Sequence, residues 1–425
     1  MDNKVVHIIG GGTVSYLGQH LATTAPAYGS TARKLYDICS GHFPNMNVQL
    51  HLTKMACAGK SNLETNDDVE RLIDKLVADD TTKVIFLNAA LVDFGHFWDH
   101  RFGQRYSARD NKEITITLSA LPKIVTKIRQ RRKDIFLVAF RQTCGMTEDE
   151  MYLSGLDLCK TASCNLVLAN DKKTRVNMVI TPEEARYHVT TDRMEALTGL
   201  VEMAKLRSHL MFTRSTVVEG KPIPWDSELV YPSLRAVVNY CIQQGAYKPF
   251  NGSTAGHFAC KLDENTFLTS IRKTNFNDLP KNGLVKVVTD GPDSVMAYGA
   301  KPSVGGQSQR IVFNEHSDYD CIVHFHCPIK PGSKVPVASQ REFECGSHEC
   351  GKNTSSHLQE FGNLSAVFLE QHGPNIVFHH SINPQEVIQF IEANFDLSEK
   401  TGGFVSIKSR LDTPSTLETA QKVLK

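Results

Sequence analysis

The sequence predicts an α/β protein in two parts. The N-terminal half reads as a Rossmann-like, doubly wound parallel sheet, and the C-terminal half as a second α/β domain with a mostly antiparallel sheet. Three observations carry this. Apolar strand-like runs alternate with helix-period segments through the first half, the pattern of a parallel sheet covered on both faces. Residues 220–226, Gly-Lys-Pro-Ile-Pro-Trp-Asp, place two prolines and a glycine where the texture changes. Beyond them the strand-like runs are short and separated by turn residues.

The first strand spans residues 5–9, Val-Val-His-Ile-Ile, and ends in Gly10-Gly11-Gly12. Further strands are expected at 48–52, 83–88, 135–140 and 165–169, and helices at 67–78, 121–131, 148–159 and 191–212. In the second half Ser227 is the expected N-cap of a helix running towards Gly245. Strands follow at 257–262, 266–270, 284–289, 320–326 and 366–370, and Pro384 opens a helix to about Phe395. The expected domains are residues 1–218 and 226–398, with 399–425, rich in Lys, Ser and Thr, as a loosely held tail.

Composition excludes several classes. Lys plus Arg is 47 and Asp plus Glu is 46, so no global field favours nucleic acid or an anionic membrane surface. No apolar run approaches the roughly 20 residues of a membrane helix, and no signal peptide is recognisable at residues 5–12. Eleven cysteines are scattered, several in apolar runs such as Asp320-Cys321-Ile322-Val323. A reduced, cytoplasmic protein acting on small molecules is expected, with neither nucleic acid nor membrane as partner.

The most informative pattern is His324-Phe325-His326, followed 46 residues later by His372-Gly373. Histidines at i and i+2 on a strand share a face, and a third from another strand completes a three-nitrogen site. Such a site leaves a coordination position open, as catalytic zinc requires. Residues 345–350, Cys-Gly-Ser-His-Glu-Cys, form a competing cluster, and His379 and His380 read as a solvated strand end.

With Ala300-Lys301-Pro302-Ser303, Ile311-Val312-Phe313 and the apolar run 367–373 ending in His372-Gly373, this order resembles the class II aldolase/adducin family over roughly residues 227–398. The resemblance implies zinc, or another divalent metal, held by His324, His326 and His372. In that family the metal holds two oxygens of a hydroxy-carbonyl substrate and stabilises the enediolate left by bond cleavage or proton loss. The family glutamate falls on Gly305, which cannot move a proton, so Glu315 and Glu370 become the candidate catalytic acids. The family's phosphate turns fall on Gly256-His257-Phe258-Ala259, where the asparagine is gone, and on residues 269–273. Ser270, Arg272, Lys273 and Ser303 are therefore the candidate contacts for a substrate anion, Arg272 offering a bidentate fork.

In the first half, Gly10-Gly11-Gly12-Thr13 after a strand offers a cradle for phosphates, because small residues let backbone N–H groups approach an anion. It is neither a Walker A loop nor a good Gly-x-Gly-x-x-Gly. Together with residues 86–94, 137–140 and 165–171, and Asn177 beyond them, it resembles the phosphopantothenoylcysteine synthetase family over roughly residues 1–215. The resemblance implies that Gly11, Gly12, Thr13, Ala89, Ala90, Asp93, Asn170 and Asp171 line a site for CTP or ATP, with Mg, where a carboxylate is activated. Residues 24–30 match the family's lysine-bearing loop poorly, and Arg101, Arg105 and Arg109 replace its lysine-rich segment. The expected glutamate is missing from Phe140-Arg141-Gln142-Thr143.

The expected protein is a bifunctional metal- and nucleotide-binding enzyme. Its C-terminal domain would carry out zinc-dependent aldol cleavage, dehydration or epimerisation of a small hydroxy-carbonyl, phosphorylated or not. Its N-terminal domain would activate a carboxylate with CTP or ATP. An amide ligase with an oligomerising aldolase-like domain, and a non-catalytic scaffold retaining both folds, stay open as alternatives. Both resemblances imply a homo-oligomer, a dimer or a tetramer.

Overall fold

The computed structural model describes residues 3–96, 103, 105–303 and 306–400. Gly305 and Arg101 lie outside the described residues, as does nearly all of the expected tail. The chain divides into two compact units, Met1–Leu210 with Arg341–Glu344, and Met211–Gln340 with Cys345–Lys425. The division thus falls at Leu210 rather than at 218, and a four-residue insertion that no linear reading anticipates belongs to the first unit.

In the first unit β1 (Val5–Gly12) is buried at all eight residues. A strand covered on both faces reads as a continuous apolar run rather than an alternation. β2 (Asn47–Leu52), β3 (Thr82–Ala90), β4 (Phe136–Thr143) and β5 (Leu166–Asp171) run parallel to it. Two strands not expected from the sequence, β6 (Asn177–Ile180) and β7 (Arg186–Thr190), then add antiparallel. The order is β7-β6-β5-β4-β3-β1-β2, so the winding reverses between β1 and β3. In such sheets ligands bind outside the carboxyl ends of the strands at that point.

The helices start where local chemistry starts them. α1 (Ser30–His42) escapes the sequence pattern because only Ala32, Leu35 and Cys39 are buried. α2 (Asn66–Ala78) and α4 (Glu148–Ala162) open on capping boxes, Thr65 with Asp68 and Thr147 with Glu150. α3 is shorter than expected, Val125–Arg131, and Pro122 lies ahead of it. α5 (Arg193–Arg207) is capped by Asp192 and stops well before Phe212. At its end Arg207, fully buried, pairs with buried Glu183 at 3.1 Å and donates to the Arg341 carbonyl at 3.0 Å. Asn165 likewise donates to the Glu344 carboxylate at 2.8 Å, tying the insertion down.

In the second unit one ten-stranded sheet carries the site. Its main elements are β8 (Arg214–Val218), β9 (His257–Lys261), β10 (Thr266–Ser270), β11 (Leu284–Thr289), β12 (Ser294–Tyr298), β13 (Cys321–His324), β14 (Val337–Ala338), β15 (Leu364–Leu369) and β16 (Gly373–Phe378). They lie in the order β8-β12-β11-β10-β9-β13-β16-β15-β14. All neighbours are antiparallel except β8 with β12 and β14 with β15.

α6 (Pro232–Gln243) and α9 (Pro384–Asn394) contribute to an apolar core with Trp225, Phe258, Phe276 and Phe395. α6 is not capped by Ser227; Pro232 fixes the φ of its first turn, and Tyr231 precedes it without a side-chain cap. Two further helices are α7 (Gly306–Glu315) and α8 (His348–Ser356).

Candidate metal centre

β13 ends at His324, two residues earlier than expected, so His324 and His326 do not share a strand face. The three predicted histidines nevertheless meet. His372 sits in the turn between β15 and β16, beside Gln371 at φ 54 and Gly373 at φ 140. A Cβ on Gly373 would lie 2.1 Å from the Phe325 carbonyl oxygen. Only glycine lets the turn bearing His372 close onto the segment bearing His326, which is why a glycine follows the third histidine.

The donor atoms of His324, His326 and His372 all lie within 4.8 Å of one another, and all three residues are buried. His324 Nε2 stands 3.3 Å from His372 Nε2. Zinc–nitrogen bonds of about 2.1 Å at tetrahedral angles need roughly 3.4 Å between donors, so this pair already has the spacing for one ion. His324 Nδ1 donates to the Pro374 carbonyl at 2.7 Å, which leaves the Nε2 lone pair directed at the cluster. Burial pushes the His324 pKa well below its ordinary value, and the imidazoles of His372, His257 and His326 push the same way. The His324 ring is therefore a neutral donor, as a metal requires. The residues present fit a divalent ion.

A fourth imidazole joins them. The antiparallel register sets His257 directly across from His324, with ring centroids 4.7 Å apart. Gln309 on α7 donates to His257 Nδ1, and the Gln309 carbonyl oxygen accepts from Thr269 at 2.8 Å. That chain leaves the His257 proton on Nε2. Burial, then His326, pushes the His257 pKa down to about 3. The sequence signal was the histidine in place of the family asparagine, but it said nothing of proximity to the triad.

The anion contacts divide. Ser303 N–H donates to the Ser270 carbonyl at 2.9 Å, and both hydroxyls are buried with no hydrogen-bond partner among the described residues. Buried donors are rarely left unpaired, so the two hydroxyls mark where ligand oxygens would be accepted. Arg272 and Lys273 are exposed, Lys273 at φ 60.

Two expectations are corrected. Glu315 is exposed at the end of α7, where Val312 and Phe313 take the inward face. Glu370 is exposed after β15, where Leu369 takes the inward face. Among the described residues no carboxylate joins the triad. The cysteine cluster is no metal group either: Cys350 is buried in α8, Ser347 caps that helix, and His348 bonds Thr213 at 2.7 Å.

In the first unit the phosphate cradle is not formed as expected. Gly11 and Gly12 continue β1, paired with Ala89 and Ala90, and a hairpin of Val14–Gly18 and Leu21–Thr24 follows. The Gly12 amide donates to Ala27 O at 2.7 Å and the Thr13 amide to Ala90 O at 3.0 Å. The Thr13 hydroxyl, fully buried, donates to Asn66 at 2.7 Å. Gly11 is a packing glycine, since a Cβ there would meet the Thr53 hydroxyl at 2.1 Å.

Asp171 is likewise committed. It accepts from the amides of Thr174 (2.9 Å), Lys173 (2.8 Å) and Met146 (3.1 Å) and from the Thr143 hydroxyl (2.8 Å). Hydrogen bonds, the Thr174 amide foremost, hold its carboxyl well below the usual range. Asp93 is exposed and pairs with Lys123. Ala89, Ala90 and Asn170 are half-buried at the strand ends. A cleft of about 490 Å³ does open among the start of α2 and residues that follow β1 and β3 in the chain, lined by Val14, Tyr16, Thr65, Asp68, His96 and Leu121 among others. None of the eight predicted residues lines it.

Residues 236–331 match the Class II Aldolase and Adducin N-terminal domain; the match contains His257, His324 and His326 and ends before His372. No curated protein matches the chain. Among solved structures, the chain is similar to the DNA/pantothenate metabolism flavoprotein of Streptococcus pneumoniae. The identity is 17%, over 47% of this chain and 97% of that one, with a TM-score of 0.39. It is also similar to an L-fuculose-1-phosphate aldolase of Thermus thermophilus, at 20% identity, over 46% and 94%, with a TM-score of 0.26. Among the described residues no helix is long and apolar enough to cross a membrane, and none of the eleven cysteines forms a disulfide.

Proposed function

We propose that the second unit is a zinc-dependent lyase or isomerase acting on a small anionic hydroxy-carbonyl compound by aldol cleavage, dehydration or epimerisation. The observation that carries this is the buried triad, two of whose nitrogens stand 3.3 Å apart with one ring oriented by Pro374. Bound zinc would supply Lewis acidity, favouring negative charge on the substrate oxygens. His324, His326 and His372 hold the ion and leave a coordination position for substrate. The buried hydroxyls of Ser270 and Ser303 donate to the anionic end. With Glu315 and Glu370 on the surface, His257 is a buried polar group beside the triad, and its Nε2–H, oriented by Gln309, donates a hydrogen bond to a substrate oxygen.

The test is metal analysis together with turnover of phosphorylated hydroxy-ketones and hydroxy-acids, using His324→Ala as control. Zinc bound at the triad and metal-dependent turnover are expected in the wild type; the variant should lose the turnover together with one equivalent of zinc. Wild-type protein that takes up no stoichiometric zinc at neutral pH would end the proposal.

For the first unit, the cleft among the start of α2 and the residues after β1 and β3 supports binding of a small molecule, and CTP or ATP with Mg is the first class to try. A raised melting midpoint with either nucleotide supports the bifunctional reading. No shift favours an enzyme whose activity resides in the second unit. We further propose that the chain assembles as a homodimer or homotetramer, which light scattering would measure.

A further inference from the structure

Asp320, His379 and His380 form a second group whose donor atoms lie within 4.8 Å of one another. Strand register brings them together. Cys321, the first residue of β13, pairs with Phe378, the last of β16, so the residue before one strand meets the two after the other. His324 and Gly373 stand at the opposite ends of these same strands. The four residue steps of about 3.3 Å from Asp320 to His324 put the two clusters roughly 13 Å apart, too far to share an ion.

The group is held in place rather than merely adjacent. The Asp320 carboxylate accepts from the His380 amide at 2.6 Å with one oxygen and bonds His380 Nδ1 with the other. The His380 ring stacks on Tyr231, centroids 4.5 Å apart, and the Tyr231 hydroxyl donates to the Lys261 carbonyl at 3.0 Å. His379 Nε2 stands 3.8 Å from the same Asp320 oxygen, and the two imidazoles are 4.2 Å apart. His379 Nδ1 lies 2.7 Å from the Ser381 hydroxyl, whose oxygen can accept a hydrogen bond from Nδ1–H when Nε2 binds a cation. The Ser381 amide, 3.2 Å from that nitrogen, competes for it before the cation arrives.

We propose that Asp320, His379 and His380 are a second divalent-metal site of this chain. Two imidazoles and one carboxylate are a donor set for zinc, nickel or copper rather than magnesium or calcium. The cation replaces the proton shared by His380 and Asp320, and both histidines are exposed, so water completes the coordination. Binding clips the start of β13 to the turn between β16 and α9.

Zinc titration followed by calorimetry tests this. Wild-type protein should take up two equivalents. In His324→Ala, where the buried triad is disabled, one equivalent should remain and should raise the melting midpoint. Adding His379→Ala or Asp320→Asn to that variant should weaken the remaining equivalent at least tenfold; Asp320→Asn keeps an acceptor for the His380 amide. The idea is overturned if His324→Ala binds no zinc, or if its remaining equivalent is unchanged by both substitutions. Neither result bears on the first equivalent, so this site and the buried triad can fail separately.

Discussion

His324 gives its Nδ1 proton to the carbonyl of Pro374 at 2.7 Å, and Pro374 stands two residues beyond His372. One turn therefore supplies a ligand and orients another. His372→Ala should lower zinc affinity by more than about 100-fold, because losing a ligand exceeds the tenfold to 100-fold of losing an orienting partner. Competition with a chromogenic chelator measures it, and retained affinity would remove His372 from the ligand set.

Gly373 should be intolerant for a reason separate from metal binding. Gly373→Ala should cost about 3 kcal/mol or more, since the new Cβ meets the Phe325 backbone at φ 140. Gly362→Ala, at φ 67 with open space around it, should cost about 1 kcal/mol. Urea unfolding of both variants makes the comparison, and equal costs would refute the close-approach argument.

His257→Ala should leave zinc content unchanged while turnover falls by about 100-fold. It also strips the buried Gln309 amide of a partner, at about 1–3 kcal/mol. His257→Asn should recover much of that stability without recovering turnover. Full turnover in either variant would take the substrate hydrogen bond away from this residue.

Glu344 should make the first unit less stable as the medium turns alkaline. Burial, then neighbouring Glu183, pushes its carboxyl up to about 7. A folded-state pKa above the ordinary 4.5 means its contribution is complete below about pH 4.5 and is lost as pH rises through 7. Glu344→Gln should therefore raise the unfolding midpoint at pH 8 and leave it nearly unchanged at pH 5, by denaturant titration at both.

His7 gives the opposite slope. It is buried, with Nδ1 3.1 Å from His51 and Nε2 3.2 Å from the Thr82 hydroxyl. Burial, then His51, pushes its pKa from 6.5 down to about 4. Stability is complete above pH 6.5 and falls towards pH 4, by at most about tenfold in the folding equilibrium per pH unit. His7→Gln should flatten that part of the pH profile, and an unaltered slope would assign it to other groups.

The fold was legible where one period dominates. The apolar run of β1 and the helical period of residues 67–78 are local facts, and the elements they predict are present. α1 was not legible, because its polar positions blur the helical stripe and only three of its residues are buried. β6 and β7 were hidden for another reason: their direction follows from pairing with β5, which no window of sequence contains. At the site the triad was readable from residue type and spacing, whereas Glu315 and Glu370 were chosen for their chemistry and prove to be exposed.

Short stretches of chain were enough to assign the class of each half and to pick out three candidate metal donors, because periodicity, glycine placement and imidazole chemistry are local properties. Which polar groups remain available to a ligand was settled by packing. Thr13 and Asp171 are consumed by internal donors and acceptors, and His257 enters the cluster solely through its register with His324. Whether a side chain is committed or free depends on which distant residues pack beside it, and adjacency of that kind is not written in any local pattern.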